Sequence, residues 1–518
     1  MVEQGNYMVP YYENKPDMWN TKPLFLTWSI ITSTKIFGQN EFGVRFPSAL
    51  SAYILAIFIF IFFTNYLKDI VGATISSLSL VSFYGFVEYH VARNGDFDSM
   101  LTMFTFIATT LFFIGFHKNK SNLILLGGLV LTFAFLTKGI AAGIVLPGAF
   151  LYFISKKNGF KLLVQNKIIL ITSLAIIFSF SYYLLREYSN PDFLSIVFNN
   201  EIANRYLQSA EGHGEKFSFY FISLYERGVD GWFFCIIASS IITIFNESKV
   251  QKQFFYYTLF VCFLFLLIHS ISSTKLPWYI APAYPHFAII IGLGFSTLVQ
   301  KTKRILPIIA SKEYGVYIIL FPLLLFYFKV PYKNINNTSV KANREGTYPE
   351  LFFGNRISDY LSKTNSNKKV SVVHQSYNSS LEYYYLKYKL EGFDISKKYY
   401  EEVFELNEIL LICESPVLIH LEKFYLFNYV INENNYWVIQ ITKIKETPIT
   451  QDEIADGFEK LKLKSAEIIN TPDWYKSIQE KAKKNNISFD EQLKRDVIWV
   501  LENDKVITPK TAQYLTNH

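Results

Sequence analysis

The sequence predicts an α-helical polytopic membrane protein with a small C-terminal α/β domain and a charged helical tail. Hydrophobic residues make up 51% of its 518 residues, and 49 of them are Phe. Long apolar runs are confined to residues 45–330, while the remaining third is ordinarily polar. Such concentration is typical of membrane-spanning helices and unusual in a soluble protein. Basic residues also recur in alternate loops between the runs, as the positive-inside rule requires of cytoplasmic loops.

A spanning helix needs about 20 apolar residues. The run from Leu123 to Ile154 is too long for one crossing and is interrupted only at Lys138-Gly139. Because lysines flank it at Lys118 and at Lys156, both of its ends belong in the cytoplasm, and we predict a hairpin that turns at Lys138. The predicted spans are 45–66, 71–89, 98–116, 122–136, 138–155, 167–186, 232–245, 254–272, 278–299 and 312–330.

Loop charge predicts the orientation. Lysines and arginines fill alternate loops, at Lys68, Lys118, Lys120, Lys156, Lys157, Lys161, Lys167, Lys249, Lys252, Lys301, Lys303, Arg304 and Lys312. These loops are predicted to be cytoplasmic. The intervening loops and everything after residue 330 are then extracytoplasmic. The predicted domains are a first extracytoplasmic loop (1–44), a transmembrane domain of about ten spans (45–330), a soluble extracytoplasmic α/β domain (331–445) and a charged helical tail (446–518).

The polar C-terminal third carries short strand patterns. Residues 369–374, 408–413 and 436–440 are predicted strands, and the Tyr-rich stretch 381–390 is a predicted helix. From Asp452 onward the pattern is helical and charged, and Asp473 and Ser488 are predicted helix caps.

Composition excludes several classes of protein. The net charge of +7 is explained by cytoplasmic lysines, and no nucleic-acid motif accompanies it. Three cysteines, two of them within apolar runs, favour neither a disulfide framework nor a thiolate metal site.

Ionisable residues near the outer membrane boundary are the candidate site. Any one of them could simply extend to the headgroups, but several fall on one side of the membrane by the loop order. Cations gathered there suit a phosphate, and a lipid phosphate fits that depth. Trp278, Tyr279 and Tyr284, beside Lys275, are either part of this site or interfacial belt residues. The candidates are Lys22, Arg45, Asp98, Lys138, Glu201, Arg205, His213 and Lys275.

An ordered set of motifs covers residues 1–330. The motifs are Gly5-Asn-Tyr-Met-Val-Pro10, Thr21-Lys-Pro-Leu24, Trp28, Phe37-Gly-Gln-Asn-Glu-Phe-Gly-Val-Arg-Phe-Pro-Ser48, Ala92-Arg93 with Asp98, Leu136-Thr-Lys-Gly139, Glu201-Ile-Ala-Asn-Arg205 with His213, and Thr274-Lys-Leu-Pro-Trp-Tyr279 with Pro282 and Pro285. As a set they resemble the polyprenyl-phosphate-dependent membrane glycosyltransferases of the lipid A aminoarabinose transferase group and, more weakly, the protein O-mannosyltransferases.

The resemblance implies a GT-C architecture and an activity. Such enzymes move a sugar from a polyprenyl-phosphate carrier to a glycolipid, polysaccharide or protein acceptor on the outer face of the bacterial inner membrane. By resemblance, Asp98 and Glu201 are supporting acids, and Arg45, Arg93 and His213 are further candidates. Cations at the donor phosphate would stabilise the charge left on it when the sugar departs. By resemblance, those donor-phosphate residues are Lys22, Lys138, Arg205, Lys275 and Tyr279.

Two departures from the family pattern stand at the N-terminal side. Relatives have a first transmembrane helix and an Asp-Glu pair before the region of Gly5, and that pair is where the resemblance places the acceptor-activating carboxylate. We therefore expect Met1 to be an internal methionine of a longer protein, which sequencing upstream of the start codon would test. Thr21 stands where relatives often carry Glu, so a divalent metal is possible but a site shared with His213 is in doubt.

Two other functions also account for the cations. A transporter or flippase of lipid-linked sugars would gather them too, although such proteins tend to show internal repeats and broken helices, and the sequence shows no such repeat. An inactive binding protein is the second alternative. The sequence does not identify the sugar or the acceptor.

Overall fold

Helical runs long and apolar enough to cross a membrane dominate residues 41–302 of the computed structural model. The structure describes residues 1, 5–87, 90–207, 214–229, 231–305, 333, 353–364, 369–433, 436–445, 451–485 and 487–517. Within them, six such runs are Glu41–Leu67, Phe97–Lys118, Ser121–Ile154, Ile168–Ser189, Lys249–Ile271 and Pro277–Thr302, with shorter apolar helices at Ile70–Ser82 and Phe233–Thr243. The prediction of a polytopic helical membrane protein is confirmed, and the predicted span 312–330 lies outside the described residues.

The chain divides into two compact units, Met1–Val340 and Lys341–His518. The first unit begins with a short antiparallel pair, β1 and β2, and continues with helices. Their bounds are β1 Tyr11–Tyr12, β2 Lys15–Pro16, α1 Phe25–Phe37, α2 Glu41–Phe62, α3 Ile70–Ser82, α4 Tyr84–Val87, α5 Phe97–Lys118, α6 Ser121–Lys138, α7 Leu146–Ile154, α8 Gly159–Gln165, α9 Ile168–Ser189, α10 Phe193–Phe198, α11 Phe219–Ser223, α12 Phe233–Thr243, α13 Lys249–Ile271 and α14 Tyr284–Ile305.

The predicted hairpin at Lys138 is confirmed. Helical residues run from Ser121 to Ile154 without a break, yet the contacts with α5 show that the run reverses. Lys138 is bonded to Asp98 in the first turn of α5, whereas Tyr152 in α7 lies 3.2 Å from His117 in its last turn. α6 and α7 therefore cross the same thickness in opposite directions.

A glycine and a 3₁₀ segment make this reversal. Gly139 has φ +57°, a left-handed conformation that costs glycine little. A Cβ there would also lie 2.1 Å from the hydroxyl of Tyr183. Residues Gly139–Val145 then form the 3₁₀ segment that leads into α7. The turn thus leaves the side chain of Lys138 beside the start of α5.

Basic residues from separate loops meet at one end of the first unit. Lys118 lies over the ring of Tyr66, and the carbonyl of Leu67 accepts a hydrogen bond from Gln251 at the start of α13. At the end of α14, Arg304 pairs with Glu247. We call this the lysine-rich end. Its basic residues include Lys68, Lys118, Lys120, Lys156, Lys249 and Arg304.

Several predicted element boundaries differ from the structure, and two of the differences have a clear local cause. The predicted span 71–89 ends early, because α3 stops at Ser82 and Phe83 has an extended backbone (ψ 118°). The Oγ of Ser82 accepts a hydrogen bond from the Trp232 indole at 2.7 Å, which ties this break to another helix. The predicted span from 45 begins instead at Glu41, since Asn40 caps α2 through the amide of Gly43.

The second unit contains a five-stranded sheet in the order β4-β3-β5-β7-β6. β3 pairs in parallel with β4 and β5, and β7 pairs in antiparallel fashion with β5 and β6. The predicted strands and the predicted helix at 381–390 are present. β4 and β6 were not predicted, since the two lysines in β4 and the successive apolar residues in β6 give no clear alternation. The elements are α15 Phe353–Thr364, β3 Val370–His374, α16 Ser379–Leu390, β4 Ile395–Tyr399, β5 Ile409–Ile412, α17 Ser415–Phe424, β6 Tyr425–Glu433 and β7 Tyr436–Ile444.

The charged tail is helical, as predicted. Ser488 caps its helix through the amide of Glu491. Asp473 is not a cap, because its helix already begins at Pro472. Asp473 lies in the first turn of that helix, where a carboxylate interacts favourably with the helix dipole. The helices are α18 Gln451–Ile469, α19 Pro472–Asn485, α20 Phe489–Asn503 and α21 Pro509–Asn517.

Candidate active site

A buried ion pair joins the start of α5 to the end of α6. The Nζ of Lys138 donates to both carboxylate oxygens of Asp98, at 2.7 and 2.6 Å. Asp98 is 1% exposed and Lys138 is 8% exposed. Each charge suits its helix terminus, with the acid at an N-terminus and the base at a C-terminus. An ionic pair at this depth is expensive, which makes it a site candidate rather than a source of stability.

A second ion pair brings the first loop to the segment after α10. Lys22 pairs with Glu201, and the hydroxyl of Thr21 donates to the same carboxylate. Glu201 lies in the π-helical turn Asn199–Leu207. The backbone of Lys22 is held by the hydroxyl of Tyr182, which donates to its carbonyl at 3.3 Å. Thr21 therefore helps to position the carboxylate of Glu201, a role that the sequence did not predict.

Both ion pairs face one cavity, which encloses about 610 Å³ of empty space including its open mouth. The cavity lies at the end of the first unit where α5 begins and α6 ends, opposite the lysine-rich end. Its polar lining is Lys22, Asp98, Lys138, Glu201, His269, Ser272, Thr274 and Tyr279. Its apolar lining is Leu101, Ile140, Ala141, Ile144, Phe265 and Pro282.

Tyr279 and Lys275 occupy different positions at this cavity. The Nζ of Lys138 lies 5.5 Å from the ring centroid of Tyr279, within cation–π distance. Lys275 is buried, and its Nζ donates to the carbonyls of Glu215 at 2.8 Å and Ser272 at 2.6 Å. Lys275 is thus bonded to the backbone of the lining residue Ser272 and is not itself among the described lining residues.

The other predicted candidates lie elsewhere or outside the described residues. Arg45 and Arg93 are exposed, and neither lines the cavity. The side chain of Arg205 and the whole of His213 lie outside the described residues. Within the part that is described, no cluster of three His, Cys, Asp or Glu side chains could hold a metal.

A histidine–aspartate pair flanks the site and was not predicted. The Nδ1 of His90 donates to Asp96 at 2.5 Å, and the imidazole stacks on Trp278 at 3.9 Å between centroids. Burial disfavours the charged carboxylate, but the hydrogen bond from His90 and the charge of Lys138 outweigh it. The pKa of Asp96 therefore lies below its ordinary value. Asp96 is a second negative charge close to Lys138.

Arg186 holds the first loop against α9. It is 1% exposed, and its guanidinium donates to the carbonyl of Asp17 at 3.1 Å and to Asn190 at 2.7 Å. Its guanidinium also lies 4.4 Å from the ring centroid of Phe193 in α10. Since Lys22 follows Asp17 and Glu201 follows α10, this arginine supports both members of the second ion pair.

We expect Arg186→Met to lower the free energy of unfolding by about 2–4 kcal/mol, because buried acceptors lose charged donors. The thermal midpoint of the detergent-solubilised protein measures the loss. Arg304→Met is the matched control, since Arg304 forms an exposed ion pair whose removal should cost less than about 1 kcal/mol. Equal losses in the two variants would contradict the supporting role of Arg186.

His269 is a further lining residue that sequence reasoning missed. It ends an apolar run just before Thr274-Lys-Leu-Pro-Trp, and an ionisable residue within a span is a signal that could have drawn notice.

These features define a class: a polytopic helical membrane protein with a buried, lysine-containing cavity at one end. The family described as dolichyl-phosphate-mannose-protein mannosyltransferase matches residues 21–185. An uncharacterized protein of Aquifex aeolicus is 26% identical over 333 residues, 64% of this chain and 63% of the relative. The undecaprenyl phosphate-alpha-4-amino-4-deoxy-L-arabinose arabinosyl transferase of an Enterobacter species is 25% identical over 310 residues, 59% of this chain and 54% of the relative.

A solved structure has the same fold. The crystal structure of ArnT from Cupriavidus metallidurans bound to undecaprenyl phosphate superposes with a TM-score of 0.61 at 15% identity, covering 85% of this chain and 91% of that one. The predicted resemblance to polyprenyl-phosphate-dependent membrane glycosyltransferases of GT-C architecture is confirmed. The match spans only about half to two thirds of the length of these curated relatives.

Proposed function

We propose that this chain transfers a sugar from a polyprenyl-phosphate carrier to an acceptor at the outer face of the bacterial inner membrane. The observation that carries the proposal is the pair of lysines, Lys22 and Lys138, that line one cavity from different segments of the chain. Each lysine is neutralised by a carboxylate, Lys22 by Glu201 and Lys138 by Asp98. An anionic phosphate can replace those carboxylates as the partner of the lysines.

The charge change of the reaction suits two ammonium groups. In the donor, the phosphate is a diester with one negative charge. When the bond between the anomeric carbon and the phosphate oxygen breaks, its electron pair stays on the phosphate, which gains a second charge. Lys22 and Lys138 interact more strongly with the phosphate as it gains this charge than with the singly charged phosphate of the donor. They therefore lower the activation barrier of the transfer.

The acceptor hydroxyl forms the new bond to the anomeric carbon and loses its proton to a base. The resemblance gives this role to an Asp-Glu pair that relatives carry before the region matched by Gly5. Asp98 and Glu201 form ion pairs with the lysines. When a phosphate replaces them as the partner of the lysines, the two carboxylates can position the sugar or the acceptor. Arg205, Lys275 and Tyr279 are proposed to complete the phosphate site, as the resemblance implies.

The apolar part of the cavity supports a lipid-linked donor. Leu101 lies three residues beyond Asp98 on α5, and Phe265 lies one turn before His269 on α13, so both lie further toward the lysine-rich end than Asp98 and His269 do. A polyprenyl chain can lie against such side chains while its phosphate meets the lysines. The undecaprenyl phosphate named for the bound ArnT structure supports the same donor class.

Loop charge supports the outer face. The cavity lies opposite the lysine-rich end, and lysine-rich loops remain in the cytoplasm. The acceptor is then a glycolipid, polysaccharide or protein of the cell envelope. Domains 331–445 and 446–518 are proposed to lie on the same side, as the loop order predicts.

Transfer of radiolabelled sugar tests the proposal. Membranes containing the full chain, or a form extended at its N-terminus by any upstream reading frame, are given polyprenyl-phosphate sugars, and label in extracted lipid, glycan and protein fractions is counted. We expect label in one acceptor fraction. Movement of intact donor between leaflets without transfer would instead support the flippase alternative, and binding without either process would support an inactive protein.

A further inference from the structure

A histidine lines the proposed donor cavity without belonging to either ion pair. His269 is in the last turn of α13 and is 6% exposed. Its ring packs on Phe265, with centroids 4.3 Å apart, and meets Tyr279 edge to face at 6.4 Å. Tyr279 in turn lies next to the Nζ of Lys138. His269 is thus one side chain away from a lysine of the proposed phosphate site.

The hydrogen bond of the His269 ring determines which of its nitrogens carries the proton and which can accept a hydrogen bond. Its Nδ1 lies 3.0 Å from the carbonyl oxygen of Phe265, four residues earlier on α13. A carbonyl oxygen only accepts, so Nδ1 carries the proton, and in the neutral ring Nε2 holds a lone pair. Among the described residues, the structure shows a hydrogen bond for Nδ1 and none for Nε2. Nε2 therefore belongs to a buried side chain that lines the cavity, and it is an acceptor that a ligand can use.

The chemistry of that atom distinguishes between the parts of the donor. Phosphate oxygens are acceptors and would be repelled by a lone pair, whereas a sugar hydroxyl is a donor that matches it. The lysines already suit the phosphate, and the sugar is the next group along the donor. Building on the proposed function, we infer that His269 selects the transferred sugar by accepting a hydrogen bond from one of its hydroxyl or amino groups at Nε2.

This contact would make His269 a specificity-determining residue. A buried site that is built to bond a substrate hydroxyl discriminates against ligands that lack it, because the protein atom is then left unpaired. The affinity for the bare polyprenyl phosphate, which has no sugar, should not depend on which residue stands at position 269.

Binding in lipid nanodiscs tests the inference with the full chain. The probes are undecaprenyl phosphate and the same lipid carrying glucose, galactose, mannose or 4-amino-4-deoxy-L-arabinose, each competing against radiolabelled undecaprenyl phosphate. The bare lipid carries one more phosphate charge than the sugar-bearing lipids, so the preference is measured among the four sugar-bearing lipids. We expect the wild type to prefer at least one of these sugars over another by about three- to tenfold. His269→Phe should abolish this preference while binding the bare lipid as the wild type does.

His269→Gln is the matched control, since its amide oxygen can accept a hydrogen bond from a similar distance, and it should keep most of the preference. His269→Met is a second apolar variant if the phenylalanine does not fit. Preference retained in both apolar variants would overturn the inference, as would an equal loss of affinity for the bare and sugar-bearing lipids, or a wild type without preference. A wild type that binds none of these lipids would instead refute the proposed function itself.

Discussion

Lys138→Met should lower the affinity for undecaprenyl phosphate by at least about 100-fold, because a desolvated charge-assisted contact to phosphate disappears. The same change should destabilise the protein by about 3–5 kcal/mol, since the carboxyl group of Asp98, at 1% exposure, would be left buried without its partner. Affinity is measured by competition in nanodiscs, and stability by the thermal midpoint of the empty protein.

The double variant Lys138→Met with Asp98→Asn separates the two effects. Removing both charges leaves no unpaired ion, so stability should return most of the way to that of the wild type, while lipid affinity should stay low. Lys161→Met is the matched control, because Lys161 is an exposed lysine of α8. Recovery of lipid binding in the double variant would contradict a direct role of the Lys138 ammonium.

Lys22→Met should weaken binding of undecaprenyl phosphate by about 10- to 100-fold, with a smaller loss of stability than Lys138→Met. The loss of stability is smaller because this ion pair is in contact with solvent. The side chains of Lys22 and Glu201 are 13% and 15% exposed, and partial hydration offsets the cost of an unpaired charge. The same nanodisc competition and thermal midpoint measure both quantities.

Glu201→Gln is the informative companion to that variant. It removes the carboxylate that competes with the phosphate but keeps the ammonium of Lys22, so affinity for the bare lipid should stay within about threefold of the wild type or improve. A loss as large as that of Lys22→Met would mean that the carboxylate, rather than the lysine, contacts the lipid or organises the loop.

The membrane architecture was largely predictable because hydropathy and loop charge are local properties. The turn at Lys138 followed from lysines on both sides of an overlong apolar run, and the contacts of Lys138 and Tyr152 with opposite ends of α5 confirm it. The end of α3 at Ser82 was not predictable in this way. Its backbone break is tied to Trp232, 150 residues further along the chain.

The individual residues of the candidate site could be predicted from the sequence, but the ion pairs that they form could not. Lys22, Asp98, Lys138, Glu201 and Tyr279 were all named from depth, loop order and resemblance, and all of them line the cavity. Nothing in the sequence stated that Lys138 would pair with Asp98, 40 residues away, or Lys22 with Glu201, 179 residues away. Lys275 was placed among them by its motif, yet its ammonium bonds to backbone carbonyls.

The sequence by itself determined that this chain crosses a membrane, which loops share an end, and that cations collect opposite the lysine-rich end. The first follows from the length and hydropathy of single segments, and the other two follow from the order of basic loops along the chain, so all three are local properties of the sequence. The tertiary structure decided which charges neutralise each other and that His269 lines the same cavity as both ion pairs. Those outcomes depend on helix packing, because a contact between distant segments exists only once the helices that carry them are placed side by side.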